Sequence, residues 1–496
     1  MKLWLRNHWP FLLIFLLGLG LRLRLLTIRG TFWFDEMFSV HFSQLPWKEA
    51  ARYAIIETNP PLYTLFLRFW LKIVPETEIL ARLPSLLFGL ATMILIYWFA
   101  CQTLNRRTAI VSTLFFAIAD LHLFLNTEAR VYSLLTFLAL ASFICYYYLF
   151  VANKKQNWLW GLYLFLNFLL IFSHLTALAI PLAQFLGLFL LKQDKKTVHR
   201  WFGAHAGLAL VWLIWFIPSI IAKADYRSLT AWYFDASNYN NANWLSIFTA
   251  LFFTNYYPLV FTFVSLGILS AFGFLFIQAK NKQIPEKNIP WLIAMALWAG
   301  LLVFAGSLCG VLTAKYYITS SLAIYLLIGY AISLLKLNRT GFILLIFFLF
   351  LILFPSGLTV ANRAVFSWKD AVNYIEKNET DTSLTFVIPF NETLPLSRYY
   401  HGRRPLLGVY PYQDNLTFEE RVVRFNWNKQ VSDKKFLEKW LTEHTNEADK
   451  LFYIQYTDTY DWTHQILLSQ GWKVKNSFRP RGFVNIYVFE FVRADK

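Results

Sequence analysis

The sequence predicts a mainly α, polytopic helical membrane protein that ends in a small extracytoplasmic α/β domain. Three observations predict it. Apolar runs long enough to cross a bilayer recur through the first 360 residues. Lys and Arg collect in the short connections between those runs. Beyond Val360 the runs shorten, charge becomes frequent, and strand patterns alternate with helical ones.

Composition points the same way. Of 496 residues, 57% are hydrophobic, 19% aromatic and only 15% charged, which is too little charge for a soluble protein of this size. The net charge of +17 is not a nucleic-acid signature. Before Val360 there are 27 Lys and Arg against 12 Asp and Glu; from Val360 onward the counts are 19 and 17. The excess therefore belongs to the membrane part, and the expected surroundings are a lipid bilayer, with no nucleic-acid partner. Cys101, Cys145 and Cys309 fall in or beside apolar spans and read as small packed hydrophobes, without a disulfide framework.

Met1 to Leu26 has a basic start and an apolar run. It lacks a small-residue cleavage site, so it reads as a retained first span. The chain is expected to hold about eleven spans, near 9–27, 80–101, 108–125, 131–151, 158–173, 175–191, 202–221, 246–278, 290–311, 317–335 and 340–359. One alternate set of connections is short and basic: Asn105 to Arg107, Asn153 to Lys155, Lys192 to Arg200, Lys280 to Lys287 and Lys336 to Arg339. These and the N-terminus belong in the cytosol of a plasma (inner) membrane protein.

Acids were not used in that assignment, and they test it. Before Val360 only Asp194 and Glu286 fall inside; Asp35, Glu36, Glu49, Glu57, Glu76, Glu78, Asp120, Glu128, Asp225 and Asp235 all fall outside. A solvated outer surface would explain the bias, and so would a catalytic face. The first outer connection, about 28–79, is long. Leu45 to Ile56 and Leu62 to Ile73 suit helices lying along the membrane surface, with Trp33, Trp47 and Trp70 as interfacial anchors. A second outer loop, about 222–245, is rich in Asn and Tyr and suits a lid.

The expected domains are 1–359, in the membrane, and 360–496, outside it. In the latter, helices are expected at Ser367 to Lys377 and Asp461 to Gln470, and strands at Leu384 to Pro389, Leu451 to Tyr456, Trp472 to Lys475 and Phe483 to Val492.

Five outer segments carry side chains suited to chemistry. Asp35 and Glu36 adjoin in Trp33-Phe34-Asp35-Glu36, just past the first span. Two carboxylates at a membrane boundary are costly unless solvated or employed. An acidic helix start near Thr31, favourable to the dipole, would also account for them. Asn59 precedes paired prolines that set an extended start and then a helix. Glu128, Arg130 and Tyr132 open the fourth span, where an ion pair or a phosphate contact would each use the Arg. His174 lies in the tight turn between spans five and six, with a structural role as its bland alternative. Lys315 and Tyr316 open the tenth span, where Lys serves a phosphate or simply snorkels. Asp35, Glu128, Arg130, His174 and Lys315 are thus expected at one bilayer level. Cations for a phosphate, a carboxylate for an incoming hydroxyl and apolar walls for a chain would suit a phosphate-linked lipid. No GxxxxGK[ST], strand-borne GxGxxG or HExxH occurs, which argues against a P-loop motor, a dinucleotide site and a zincin protease.

The segments WFDEMFSVHFS, NPPLYTLFLRFW, ARLPSLLFGLATMILIY, TEARVYSLL and KYYITSSLAIYLLIGYAI follow one another in order. Together they resemble the glycosyltransferase family 39-like membrane enzymes of fold type GT-C, whose relatives include protein O-mannosyltransferases and lipid A aminoarabinose transferases. The resemblance spans about residues 10–335 and is looser beyond. It implies a polyprenyl-phosphate-linked sugar donor and a lipid, glycan or protein acceptor. Asp35 resembles the first-loop catalytic Asp, the base for the acceptor, with Glu36 as its motif partner. Glu128 and Arg130 match the second-loop motif. Lys315 stands where many members carry Arg before Tyr, which would replace a bidentate fork by a point charge. Asn59 stands where relatives often have His or Lys. Some relatives bind a divalent cation near the first loop; here Asp35, Glu57 and His174 are the residues on offer, and no other cofactor is implied.

The mechanism expected from these residues is an inverting displacement at the anomeric carbon. A transporter or flippase of lipid-linked saccharides is the rival, but it would carry midplane polar residues, broken helices or paired repeats. A non-catalytic scaffold is the second rival.

Overall fold

The computed structural model describes residues 2–57, 59–154, 156–224, 251, 258–308, 314–363, 367–410, 415–423, 433–456, 462–482 and 486–494. The lid-like loop expected near 222–245 and Cys309 lie almost wholly outside them. The chain divides into two compact units. One comprises Met1–Thr27, Ala51–Ile220 and Ala236–Asn362; the other comprises Ile28–Ala50, Ile221–Asp235 and Arg363–Lys496.

The helices run in the order α1 (Lys2–Ile28), α2 (Phe34–Gln44), α3 (Trp47–Ile56), α4 (Leu62–Ile73), α5 (Glu78–Thr103), α6 (Arg106–Ile118), α7 (Asp120–Leu125), α8 (Tyr132–Tyr146), α9 (Asn157–Ile171), α10 (Ala179–Leu190), α11 (Lys195–Ala224), α12 (Pro258–Lys280), α13 (Ile289–Leu308), α14 (Ile318–Leu334) and α15 (Arg339–Arg363). Among the described residues six helices are long and apolar enough to cross a membrane, and four shorter apolar helices accompany them. α14 is buried from Ile318 to Ala331 and packs closely on α6. The contact is tight because Gly329 faces Ser112 and the Thr108 carbonyl, where a Cβ would collide. Small residues at such crossings let backbones approach where lipid offers no hydrophobic gain. α11 and α15 are by contrast largely exposed along apolar faces, as lipid contact requires.

The span expected over 108–125 is broken. α6 ends at Ile118, Ala119 is extended, and α7 starts at Asp120. The break would strand carbonyls in an apolar setting, which is costly. Arg22 of α1 takes them: its guanidinium donates to the carbonyls of Phe116 and Ala117, both at 3.0 Å, and to Asn126 Oδ1 at 2.9 Å. Gly357 of α15 lies against the Ile118 carbonyl, and Ser356 Oγ donates to Asp120 at 2.9 Å. Asp120 is thereby fully buried rather than part of a solvated surface.

In the second unit α16 (Trp368–Asn378), β1 (Leu384–Ile388), α17 (Thr393–Ser397), β2 (Leu406–Gly408), α18 (Phe418–Val423), α19 (Lys434–Thr445), β3 (Lys450–Tyr456), α20 (Thr463–Ser469), β4 (Trp472–Phe478) and β5 (Ile486–Arg493) follow. The sheet order is β2-β1-β3-β5-β4, with β1 parallel to β2 and β3, and β5 antiparallel to β3 and β4. The period-two alternation of β1 sends Leu384, Phe386 and Ile388 to one face, against Leu437, Leu441 and Ile466, and Val387 to the other, against Trp368 and Ile375. Helices therefore cover both faces. The amphipathic α19, capped by Asp433 accepting from the Phe436 N–H at 3.0 Å, and the short β2 were not expected from sequence.

Candidate functional site

In the first unit three segments bring cations and aromatic rings together around His174. The irregular stretch before α8 holds Glu128, nearly fully buried, and Arg130, half-buried; the Arg130 N–H donates to the Glu128 carbonyl at 2.8 Å, and the Arg130 carbonyl accepts from Ser85 Oγ at 3.3 Å. Tyr132 begins α8, and its ring lies 5.9 Å from that of His174. On the other side the Tyr316 ring is 5.6 Å from His174. The Lys315 ammonium sits 5.9 Å from the Tyr132 ring and 5.8 Å from the Tyr316 ring, which are cation–π distances.

His174 is only 4% exposed. It caps the short turn Leu175–Leu178, with Nδ1 accepting from the Thr176 backbone N–H at 3.2 Å and lying 2.8 Å from Thr176 Oγ1. Occupied as an acceptor, Nδ1 leaves the proton of the neutral ring on Nε2. That Nε2 has no hydrogen-bond partner among the described residues. Burial, joined by the charges of Arg130 and Lys315, pushes the imidazole pKa down to about 3. The ring is therefore a neutral donor within the influence of two cations. Such a group can bind an anion without adding a third charge to an already positive site.

Asn59 is half-buried, and Leu62, three residues on, donates its N–H to the Phe172 carbonyl at 3.1 Å. The paired-proline corner is thus tied to the turn that carries His174.

The second unit holds Asp35 and Glu36 in the first turn of α2, the end where the helix dipole favours carboxylates. Glu36 is fully buried and Asp35 half-buried. The segment leading into α2 is fastened to the C-terminal residues of the same unit. Thr31 Oγ1 accepts from the Trp368 N–H at 2.9 Å, the Phe32 N–H donates to the Tyr399 hydroxyl at 3.0 Å, and His41 Nε2 meets Glu419 at 3.2 Å.

A family model described as dolichyl-phosphate-mannose-protein mannosyltransferase matches residues 58–221. Among solved structures, ArnT from Cupriavidus metallidurans bound to undecaprenyl phosphate is similar with a TM-score of 0.57 and 15% identity, covering 97% of each chain. The archaeal oligosaccharyltransferase AglB from Archaeoglobus fulgidus, in complex with an inhibitory peptide and a dolichol-phosphate, is similar with a TM-score of 0.53 and 10% identity, over 98% of this chain and 74% of that one. The chain has the GT-C fold of these structures. Compared with curated proteins, the sequence matches none.

This GT-C chain is accordingly a multi-pass membrane protein. Of its expected site residues, Arg130, Tyr132, His174, Lys315 and Tyr316 come together in the first unit, with Glu128 two residues from Arg130. Asp35 and Glu36 belong to the second unit. Among the described residues no three His, Cys, Asp or Glu side chains are grouped to hold a metal ion.

Sequence reasoning missed Glu392, a buried acid just past β1 whose carboxyl burial pushes up to about 8. The signal that was available is the position, directly after a buried strand, where α/β sheets place functional groups.

Proposed function

We propose that the protein is an inverting glycosyltransferase that moves a sugar from a polyprenyl-phosphate donor to an acceptor hydroxyl at the extracytoplasmic face of the plasma membrane. The observation that carries this reading is the convergence of Arg130, Lys315 and a buried His174 N–H that has no hydrogen-bond partner among the described residues. Three donors of different geometry, two of them charged, suit the oxygens of a phosphomonoester or diester. The likeness to ArnT bound to undecaprenyl phosphate and to AglB with dolichol-phosphate supports a lipid-linked donor. The basic connections on alternate sides of the spans support an N-terminus in the cytosol and a C-terminal domain outside it.

In this mechanism Arg130, Lys315 and His174 bind the donor phosphate, and Tyr132 and Tyr316 wall the pocket. Asp35 accepts the proton of the acceptor hydroxyl as its oxygen forms the new bond to the anomeric carbon. The bond from that carbon to the phosphate oxygen breaks, and its electron pair leaves with the lipid phosphate. That phosphate needs positive charge around it more than it needs a proton, and the two cations supply it. Glu36 orients the first turn that carries Asp35, and Glu128 braces the Arg130 segment. Asn59 and the acceptor's identity (lipid, glycan or protein) set specificity.

The test is to incubate the purified protein, in membranes that supply acceptor, with a panel of polyprenyl-phosphate sugars and to follow which lipid is consumed. One sugar lipid should be turned over by the wild type, and Asp35→Asn should bind that lipid yet stop transferring. Near-normal turnover by the variant would remove Asp35 from the mechanism. Consumption of none of the lipids would remove the enzyme assignment.

A further inference from the structure

Within the first unit α12, α14 and α15 leave a cavity of about 370 Å³, which Phe115 of α6 also lines. Ser270 is the one lining residue with a polar side chain. The cavity follows α12 from Val264 to Phe274, about 15 Å of helix. That is about half of a hydrocarbon core roughly 30 Å thick, the depth of one leaflet. On α14 the lining reaches Leu335, the residue that caps the helix. Gly267 lines the cavity too, and a Cβ placed there would meet no atom within 4 Å. Water gains nothing in such a space, since a buried water needs polar partners that this lining does not offer. A hydrocarbon chain fits it.

The end of the bundle that Leu335 reaches is basic. Arg106 and Arg107 open α6, Lys280 ends α12 with Lys282 in the turn after it, and Lys336 and Arg339 join α14 to α15. Glu286 is the one acid in these three connections. Lys280, Lys282, Lys336 and Arg339 are all exposed. The turn between α14 and α15 is already fixed in place. Arg107 Nη2 donates to the Leu337 carbonyl at 2.9 Å, its guanidinium lies 4.9 Å from the Phe342 ring, and Asn105 Nδ2 donates to Ser333 Oγ at 2.9 Å. Lys336 therefore stands one residue beyond the cavity lining, on a turn that needs no rearrangement to present it.

We propose that this cavity is a binding site for an anionic phospholipid: one acyl chain fills the space between α12, α14 and α15, and the headgroup phosphate lies among Lys280, Lys336 and Arg339. Apolar walls alone would accept any lipid. The cations at the end of the cavity make the choice, because basic pockets between spans attract anionic headgroups. The isoprenoid chain of a sugar donor is the poorer occupant. Lys315, proposed above to hold the donor phosphate, precedes the start of α14, whereas Leu335 ends it, about 25 Å away along the helix. The site stands whether or not the chain transfers a sugar.

The experiment is native mass spectrometry of the delipidated full-length protein in detergent, titrated with dioleoyl phosphatidylglycerol or dioleoyl phosphatidylcholine. The wild type should bind the first phosphatidylglycerol about 10-fold more tightly than phosphatidylcholine at low salt, and the preference should shrink as salt rises. The double variant K336Q/R339Q should lose the preference and keep its affinity for phosphatidylcholine. G267L puts a side chain into open space and should weaken the binding of both lipids. Equal affinity for the two lipids in the wild type, or an undiminished preference in K336Q/R339Q, overturns the proposal. So does a G267L protein that binds phosphatidylglycerol as the wild type does. Should G267L fail to accumulate, S270L, at an exposed lining position, makes the same test. Displacement of the bound phosphatidylglycerol by equimolar undecaprenyl phosphate would assign the cavity to an isoprenoid chain and also overturn it.

Discussion

The Phe32 backbone N–H donates to the Tyr399 hydroxyl at 3.0 Å, joining residues 367 positions apart. Phe32 comes three residues before Asp35, so this bond, with Thr31 accepting from Trp368, orients the turn that carries the proposed base. Tyr399→Phe should cost about 1 kcal/mol, the net worth of one neutral hydrogen bond. Hydrogen exchange at the Phe32 amide should accelerate and the transfer rate should fall while donor KM holds. An exchange rate equal to wild type would show that the bond does not restrain this turn.

Arg130 and Lys315 are predicted to act on donor binding. Removing one charge-assisted contact, as in Lys315→Gln, should raise donor KM about 10-fold to 100-fold. Lys315→Arg should retain most of the affinity, since the charge remains. Titration of the purified variants with undecaprenyl phosphate checks both; equal affinity across the series would exclude a phosphate contact.

His174 makes the first unit sensitive to acid. Its ordinary pKa is 6.5 and its folded value is pushed down to about 3 by burial and by the neighbouring cations. The contribution of the neutral ring is therefore present above about pH 6.5 and lost as pH falls from there toward 3. His174→Gln, which cannot charge, should show a shallower fall in Tm between pH 6.5 and 4 in detergent. Parallel curves for the two proteins would refute the assignment.

Glu392 has the opposite sign. Its folded pKa is raised from 4.5 to about 8, chiefly by burial. Stability from the protonated form is complete below about pH 4.5 and lost as pH climbs through 8. Glu392→Gln should therefore raise Tm at pH 9 relative to wild type and change it little at pH 4.5. A Tm gain equal at both pH values would point to packing instead.

Arg22→Met should destabilise the first unit by about 3 kcal/mol, because the Phe116 and Ala117 carbonyls and Asn126 Oδ1 would be left in an apolar interior. Thermal aggregation in detergent should begin at a visibly lower temperature. A variant as stable as wild type would mean that water replaces the guanidinium.

Much of the architecture was legible because hydropathy and period are local properties. The helix expected at Leu62 to Ile73 appears with those bounds, and Leu384, Phe386 and Ile388 alternate with Val387 as a strand covered on both faces must. The pass over 108–125 reads as one span, since alanine, as at Ala119, is the strongest helix former and nothing beside it signals a stop. Its break depends on Arg22 and Gly357, which lie far away in sequence. α19 escaped notice because its apolar positions are few among many charges.

By itself the sequence determined that the chain crosses a bilayer repeatedly, ends in an α/β domain and bears Asp35, Arg130, His174 and Lys315 near span boundaries, for these follow from apolar length, charge bias and motif order. Only the tertiary structure decided that His174 is a neutral Nε2–H donor among Tyr132, Tyr316 and two cations, that residues 28–50 belong to one compact unit with the C-terminal sheet, and that Glu392 is buried just past β1. Tautomer, burial and charge coupling depend on which distant segments become neighbours, and no local window of residues contains that information.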